Sequence, residues 1–357
     1  MGSEMCIRDS YNQVIEFIDA NSTFNTETNT GGILLGNRTA GVVQSRIRNA
    51  VGGVVEGLGS SLRTLSSIGI STDTQGRLSL NKSELQDIVT GKVEGAGIDD
   101  IRRLFAIDGQ SDTPGVEFLL GTNNTKASPI DPETGEPIPY QVEINRVASS
   151  AALVSDNIGS GDITIAGGND AFQLELDGVD LDISIPHDVY TQEALADQLQ
   201  SLINTSPDIG GREIRLTASG GQFRLESASV GTSSIVKILE GTALNDLGLS
   251  GVPTSVGTDV AGVFRVNVDG EWVTEQATGS GRILTGRAEN EYTAQLQVRS
   301  RLTESQIDGV TDANLSVTRG IGAALDAAIS DLLEDATGEL ATNRAVSYTH
   351  LTLPTKA

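Results

Sequence analysis

His187, beside Pro186, and the crowded carboxylates Asp177, Asp180 and Asp182 are the residues of this chain whose types could support chemistry. A histidine at a strand end can serve as a base or a ligand, but zinc clusters and Cys–His pairs need partners, and the only cysteine is Cys6 and the only other histidine His350. His187 therefore reads as a surface-loop residue. Two carboxyls held roughly 5 to 10 Å apart across a cleft would suit glycoside cleavage, the enzyme alternative for so acidic a chain. Asp180 and Asp182, however, alternate with Leu181 and Ile183, which is the pattern of the wet face of a strand. Gly57-Leu58-Gly59 and Gly279-Ser280-Gly281 lack the strand, lysine and helix of a nucleotide loop. The acidic run from Asp131 to Glu136 does not space its oxygens as a calcium loop does. Trp272 reads as strand packing, with a ligand face as the alternative. No catalytic, cofactor or metal residue is assigned.

The element that carries these aspartates is the most patterned stretch of the chain. Phe172, Leu174 and Leu176 alternate with polar residues, Asp177-Gly178 interrupts, and Leu181, Ile183 and Ile185 resume, as a half-buried hairpin requires. Asp-Gly suits its tight turn. Thr191 is placed to cap a helix with Glu193 in its first turn. Leu195, Leu199, Leu202 and Ile203 fall on one face of that helix, so they are expected to close over the hairpin. Two further alternating runs, Ile214/Leu216/Ala218 and Phe223/Leu225, meet at Gly220-Gly221.

In Leu176-Asp177-Gly178, Tyr190-Thr191-Gln192-Glu193-Ala194-Leu195-Ala196 and Ile203-Asn204, this stretch resembles the flagellin IN motif of bacterial flagellar proteins. Residues 11 to 105 are similar to the C-terminal region of the filament capping family FliD, in Tyr11-Asn12, in Gly32-Ile33-Leu34-Leu35-Gly36-Asn37 ahead of a helix, and in Leu65 to Leu85. The resemblance implies a helical stem formed by both arms of the chain with β-rich heads inserted between. It also implies a ring-like homo-oligomer, formed through terminal coiled-coil arms missing here, that helps flagellin subunits fold and insert. An IN-like module downstream of the 11 to 105 region departs from the commoner pattern and suggests a head-expanded member.

MGSEMCIRDS at the start and AVSYTHLTLPTKA at the end resemble translated sequencing adaptor, so residues 1–10 and 345–357 are left out of the fold reading and the rest is expected to be an internal fragment. The net charge of −24 stands without them, because Glu4, Arg8 and Asp9 together are balanced by Lys356. Such a charge repels phosphate backbones, and no basic patch with interleaved aromatics is present, which argues against nucleic-acid binding. No apolar run approaches a membrane span. The roughly 335 remaining residues suffice for two or three domains with real cores.

The chain divides into a first helical stem segment (11–105), a Pro-rich linker or loop (106–139) around one strand at Val116–Leu120, a β-rich head with the hairpin–helix module (140–250), a second β-rich head segment (251–318) and a second helical stem segment (319–344). Tyr11, Val14, Ile15 and Ile18 make a short helical stripe. Val43, Ile47, Val51, Val54, Leu58, Leu62 and Leu65 continue one of eleven-residue period, which Gly52, Gly53, Gly57 and Gly59 interrupt. The expectation is a helix over 38–51, a loop and a short helix over 60–67, then a turn at Asp73 to Gly76 and helices starting near Ser83 and Asp99. Phe264, Val266 and Val268 before Asp269-Gly270 echo the first hairpin, more simply as a second ordinary hairpin than as a duplication. Tyr292/Ala294/Leu296/Val298 and Leu315/Val317 predict further strands. Ile321, Leu325, Ala328, Ile329 and Leu332 form a last helical stripe.

The expected fold is α+β, a helical stem from both ends of the chain with inserted heads of β-hairpins and one packed helix. The expected role is a non-enzymatic, extracellular flagellar protein whose partners are itself and flagellin. Packing or assembly candidates are Val43, Ile47, Val51, Leu195, Leu199, Leu202, Ile321, Leu325, Ile329 and Leu332. An adhesin for host or surface glycans, or a hook–filament junction protein or filament subunit, are the alternatives.

Overall fold

The computed structural model describes residues 2–26, 29–58, 62–94 and 96–334. Its α+β architecture is nested, each layer of chain enclosing the next. The outermost layer is helical. Helix α1 runs Gly2–Ser22, continuous from the adaptor-like start into the Tyr11 stripe, and is followed by the short strands β1 (Phe24–Asn25) and β2 (Thr30–Gly31). Asn37 accepts the Ala40 N–H to start α2 (Arg38–Gly52), which stops at the glycines as expected. Its stop shifts the register of the apolar stripe, so Val55 is buried while Val54 is 63% exposed. The short helix expected over 60–67 is a single 3₁₀ turn at Leu65–Ile68, residues 59–61 lying outside the described set. Strands β3 (Ile70–Thr72) and β4 (Leu78–Leu80) form a hairpin, and α3 (Lys82–Val89) and α4 (Ile98–Phe105) follow.

Residues 106–139 hold the strand expected at Val116–Leu120 and a second one before it. Strands β5 (Ile107–Ser111) and β6 (Val116–Leu120) are the two edge strands of an eight-stranded sheet, with β7 (Tyr140–Arg146) inside it. The prolines fall between these strands, where no ladder N–H is needed. Thr125 donates to the Ala294 carbonyl and Ser128 exchanges bonds with Val317, pinning the segment down.

After β7 the chain leaves this sheet and builds a separate core. Here β8 (Ala152–Val154), β9 (Ile163–Ile165), β10 (Ala171–Leu176), β11 (Val179–Ser184), β12 (Asp188–Tyr190), α5 (Gln192–Asn204), β13 (Ile214–Ser219), β14 (Gln222–Ser227), β15 (Ile235–Gly241) and β16 (Ser255–Val256) follow in turn. Strand orders are β11-β10-β15-β16, β13-β14-β8 and β12-β9. The β10–β11 turn has Asp177 and Gly178 at φ 50 and 80, the doubly left-handed form for which Asp-Gly is suited. Asp177 does more than turn the chain: its carboxylate accepts from Ile235 N–H, Ser227 Oγ and Ser229 Oγ, each at 2.8 Å.

The chain then returns to the large sheet through β17 (Ala261–Val268), β18 (Glu271–Ser280), β19 (Ile283–Gly286), β20 (Gln297–Ser300) and β21 (Ala313–Arg319), giving the order β5-β21-β7-β17-β18-β19-β20-β6. The alternation expected to make a strand from Tyr292 is instead a loop up to Leu296. Buried Glu275 accepts the N–H groups of Glu291, Tyr292 and Thr293 and the Thr293 hydroxyl, so these donors are taken out of any ladder. The Asp269-Gly270 turn has the same left-handed form as Asp177-Gly178, but β18 leads directly into β19 with no packed helix. Only the hairpin is shared. Since β7 lies in this sheet, the first inserted unit begins after residue 146, not at 140.

Helix α6 (Ile321–Leu333) closes the described chain, and residues 335–344 of the expected second stem segment lie outside the described set. Among the described residues three separate hydrophobic cores result: the helical one around Ile15, Leu58 and Leu104, the large-sheet one around Tyr140 and Phe264, and the inserted one around Phe172, Leu199 and Phe223.

Candidate assembly site

The face of α2 that bears Val43, Ile47 and Val51 turns inward. Ile47 and Val51 are buried in the helical core and Val43 is half-buried against it. Far along the sequence, Ile321 joins the same core with Leu325 packed on it, so the start of α6 lies against α2. Gly320 lets the start of α6 also come close to the end of α4: a Cβ there would lie 2.3 Å from the Phe105 carbonyl carbon, and its N–H donates to the Ala106 carbonyl. Further along α6 the stripe divides, Leu332 being buried and Ile329 39% exposed. The groove between the two helices holds about 230 Å³, with Val54, Glu56, Arg319 and Ala324 among its walls.

In the inserted core Leu195 and Leu199 are buried and Leu202 is half-buried. The helix that bears them packs chiefly along β13, with β11 and β12 secondary, so its expected closure over the β10–β11 hairpin is only partial. Polar residues explain the choice of strand. Asn204 donates through Nδ2 to the Ile214 carbonyl and accepts the Ile214 N–H on Oδ1, both at 2.9 Å, and Gln200 accepts the Leu216 N–H. The same device recurs in the helical core. Asn12 Nδ2 donates to the Leu78 carbonyl and Asn12 Oδ1 accepts the Leu78 N–H, while the neighbouring Tyr11 hydroxyl donates to the Gly76 carbonyl. A primary amide has one donor face and one acceptor face, the complement of a strand residue's backbone.

Several apolar residues of the helical unit face outward. Phe17 on α1 is 60% exposed, Ile33 and Leu35 before α2 are 82% and 51% exposed, and Leu333 is 61% exposed. Val14, counted in the first stripe, also faces out. The available signal was that Phe17 falls off the Tyr11/Ile15/Ile18 stripe.

The candidate chemical residues lie apart from these faces. His187 Nε2 is 2.8 Å from Asp170 Oδ2 in an exposed pair, and that contact holds the Asp170 carboxyl below its usual range. Asp180 and Asp182 are exposed, the latter accepting from Gln173 across the ladder. Trp272 is 38% exposed, with Arg265 6.0 Å from its ring, on the outer side of the large sheet rather than in its core. Among the described residues no group of three or more His, Cys, Asp or Glu is arranged to hold a metal, and no helix is long and apolar enough to cross a membrane.

A family model described as the flagellar hook-associated protein 2 C-terminus matches residues 8–128. No curated protein sequence matches. Among solved structures, that of the flagellar cap protein FliD D1-D2-D3 domains from Escherichia coli is 14% identical with a TM-score of 0.34, over 70% of this chain and 66% of that one. FliD from Bdellovibrio bacteriovorus is 13% identical with a TM-score of 0.33, over 58% of this chain and 99% of that one. The FliD D2-D3 domains from Serratia marcescens are 14% identical with a TM-score of 0.33, over 57% and 99%.

Proposed function

We propose, from the match over residues 8–128, that this chain belongs to a flagellar filament cap: a non-catalytic protein outside the cell that associates with copies of itself and assists flagellin insertion at the filament tip. The matched segment contains the Tyr11/Asn12 clamp on the β3–β4 hairpin and the exposed Phe17, Ile33 and Leu35. A cap needs such a division, with a rigid helical body beneath and apolar residues left for neighbouring subunits above. The burial of Ile321 with Ile47 and Val51 supports a stem formed by both arms of the chain, the inserted sheets serving as its heads.

The test is electron microscopy of flagellin filaments grown in vitro with the purified protein. Added density confined to one filament end is the expected result. Filaments without end density, growing at the same rate with and without the protein, overturn the reading.

A further inference from the structure

We infer that the outer face of β13 and β14 binds a sugar that carries a carboxylate, such as a hexuronate. Arg215, Thr217, Arg224 and Glu226 alternate with buried Ile214, Leu216, Phe223 and Leu225, so all four side chains stand on the solvent side of this pair of strands. Thr217 lies directly opposite Arg224 and Arg215 directly opposite Glu226, which sets the two arginines on a diagonal. They line a half-open hollow of about 240 Å³. That is smaller than the roughly 300–1,000 Å³ of sites for drug-sized ligands, and suits a single ring.

Two guanidiniums on one small face are notable in a chain of net charge −24. Glu226 neutralises only some of this charge. One of its oxygens accepts from Ser150 Oγ at 2.8 Å and the other from Arg224 Nε at 3.2 Å, so it orients Arg224 by its inner nitrogen and leaves the terminal nitrogens directed elsewhere. Those bonds, Ser150's foremost, hold the Glu226 carboxyl below its usual range, so it remains an anion. Arg215 makes no hydrogen bond or ion pair of its own among the described residues beyond its longer-range attraction to Glu226. Glu213, exposed just before β13, forms no ion pair with either arginine among the described residues.

Glu226 and the nearby Glu213 balance the two arginines in number, but Arg215 is left without an ion pair and offers planar donors, which match a carboxylate in a two-point bond better than a lysine would. The ionised Glu226 repels a dianion such as phosphate or sulfate, and with the Thr217 hydroxyl it supplies acceptors for sugar hydroxyls. A monoanion rich in hydroxyls satisfies every group present. The inference does not rest on the cap reading and stands or falls without it.

The arginine Nε–H resonances of the full chain, followed by NMR at constant ionic strength, test this. Glucuronate should shift Arg215 and Arg224 saturably in the millimolar range expected of exposed charge pairs; glucose should leave them unmoved, and acetate and sulfate should bind about tenfold more weakly. Arg215→Gln and Arg224→Gln should each lower glucuronate affinity about tenfold at an unchanged melting temperature. Glu226→Gln should keep acetate binding while narrowing the preference for glucuronate. Absence of a saturable shift with glucuronate overturns the inference, as does equal binding of acetate and sulfate, which would mark the face as unselective for anions.

Discussion

Asn204, the last residue of α5, bonds both backbone groups of Ile214 on β13 at 2.9 Å, and so fixes the end of the helix to the edge of the β13-β14-β8 sheet. Replacing it by alanine leaves a half-buried N–H and C=O without these partners, and a partly buried pair of this kind is worth about 1–3 kcal/mol. Asn204→Ala should lower the urea midpoint accordingly. Asn204→Asp separates the two bonds, since a carboxylate accepts from the Ile214 N–H but cannot donate to its carbonyl. An aspartate variant as stable as the parent would show that the Nδ2 bond contributes nothing.

Leu199 sits on the same helix and is 1% exposed in the inserted core. Leu199→Ala should destabilise by about 2–5 kcal/mol, read from chemical denaturation. Because the three cores are separate, the loss should be confined to the inserted unit: amide exchange there should accelerate while exchange around Leu104 and Val142 stays slow.

Asp259 joins the inserted unit to the large sheet. Its carboxylate accepts the Gly281 N–H at 2.7 Å, the Thr232 N–H at 3.0 Å and the Thr232 hydroxyl at 2.8 Å. The Gly281 bond first, then those from Thr232, depress its pKa in the folded protein. The unfolded chain, at about 3.9, then takes up a proton before the folded one does, so the stabilisation is complete above that pH and is lost as pH falls through the folded value. The stability gap between the parent and Asp259→Asn should be widest at neutral pH and shrink below about pH 4. A gap that does not change with pH would remove the carboxylate charge as its cause.

Local pattern made the helix at 38–52, the two Asp-Gly hairpins and α5 legible, because in each the apolar period, the cap or the turn residue agree. The failures share a cause at longer range. Val54 falls on the apolar period that runs on past Gly52 and Gly53, but α2 stops there as those glycines predict, the phase is lost, and Val55 goes in instead. Tyr292 to Leu296 alternate like a strand, yet Glu275, on another strand, takes the N–H groups of Glu291, Tyr292 and Thr293 at its start. Residues 106–139 read as a linker or loop around the one strand at Val116–Leu120 because β5 and β6 find their partners in β21 and β20, at residues 297–319, and no local window contains both sides of those ladders. The Asn12 and Asn204 clamps were visible only as members of the Tyr-Asn and Ile-Asn motifs; their bonding cannot be read until the strand opposite each is known.

Gly109 on β5 offers a test of how the large sheet ends. Its two edge strands, β5 and β6, are consecutive in sequence and lie close together without being paired in a ladder, so side chains bridge the gap. Phe118 of β6 lies directly over Gly109, where an added Cβ would come within 2.4 Å of the ring. The ring has no flexible end to withdraw, so Gly109→Ala should force β5 and β6 apart and destabilise by about 1–3 kcal/mol, as overpacking does. The more telling variant is the double one. If the clash is the cause, Phe118→Leu in the Gly109→Ala background should recover some of the loss, although Phe118→Leu alone removes apolar contact and destabilises. Additive losses, measured by a double-mutant cycle in urea, would mean that the alanine acts through its own backbone and that the sheet ends are not held together by this contact.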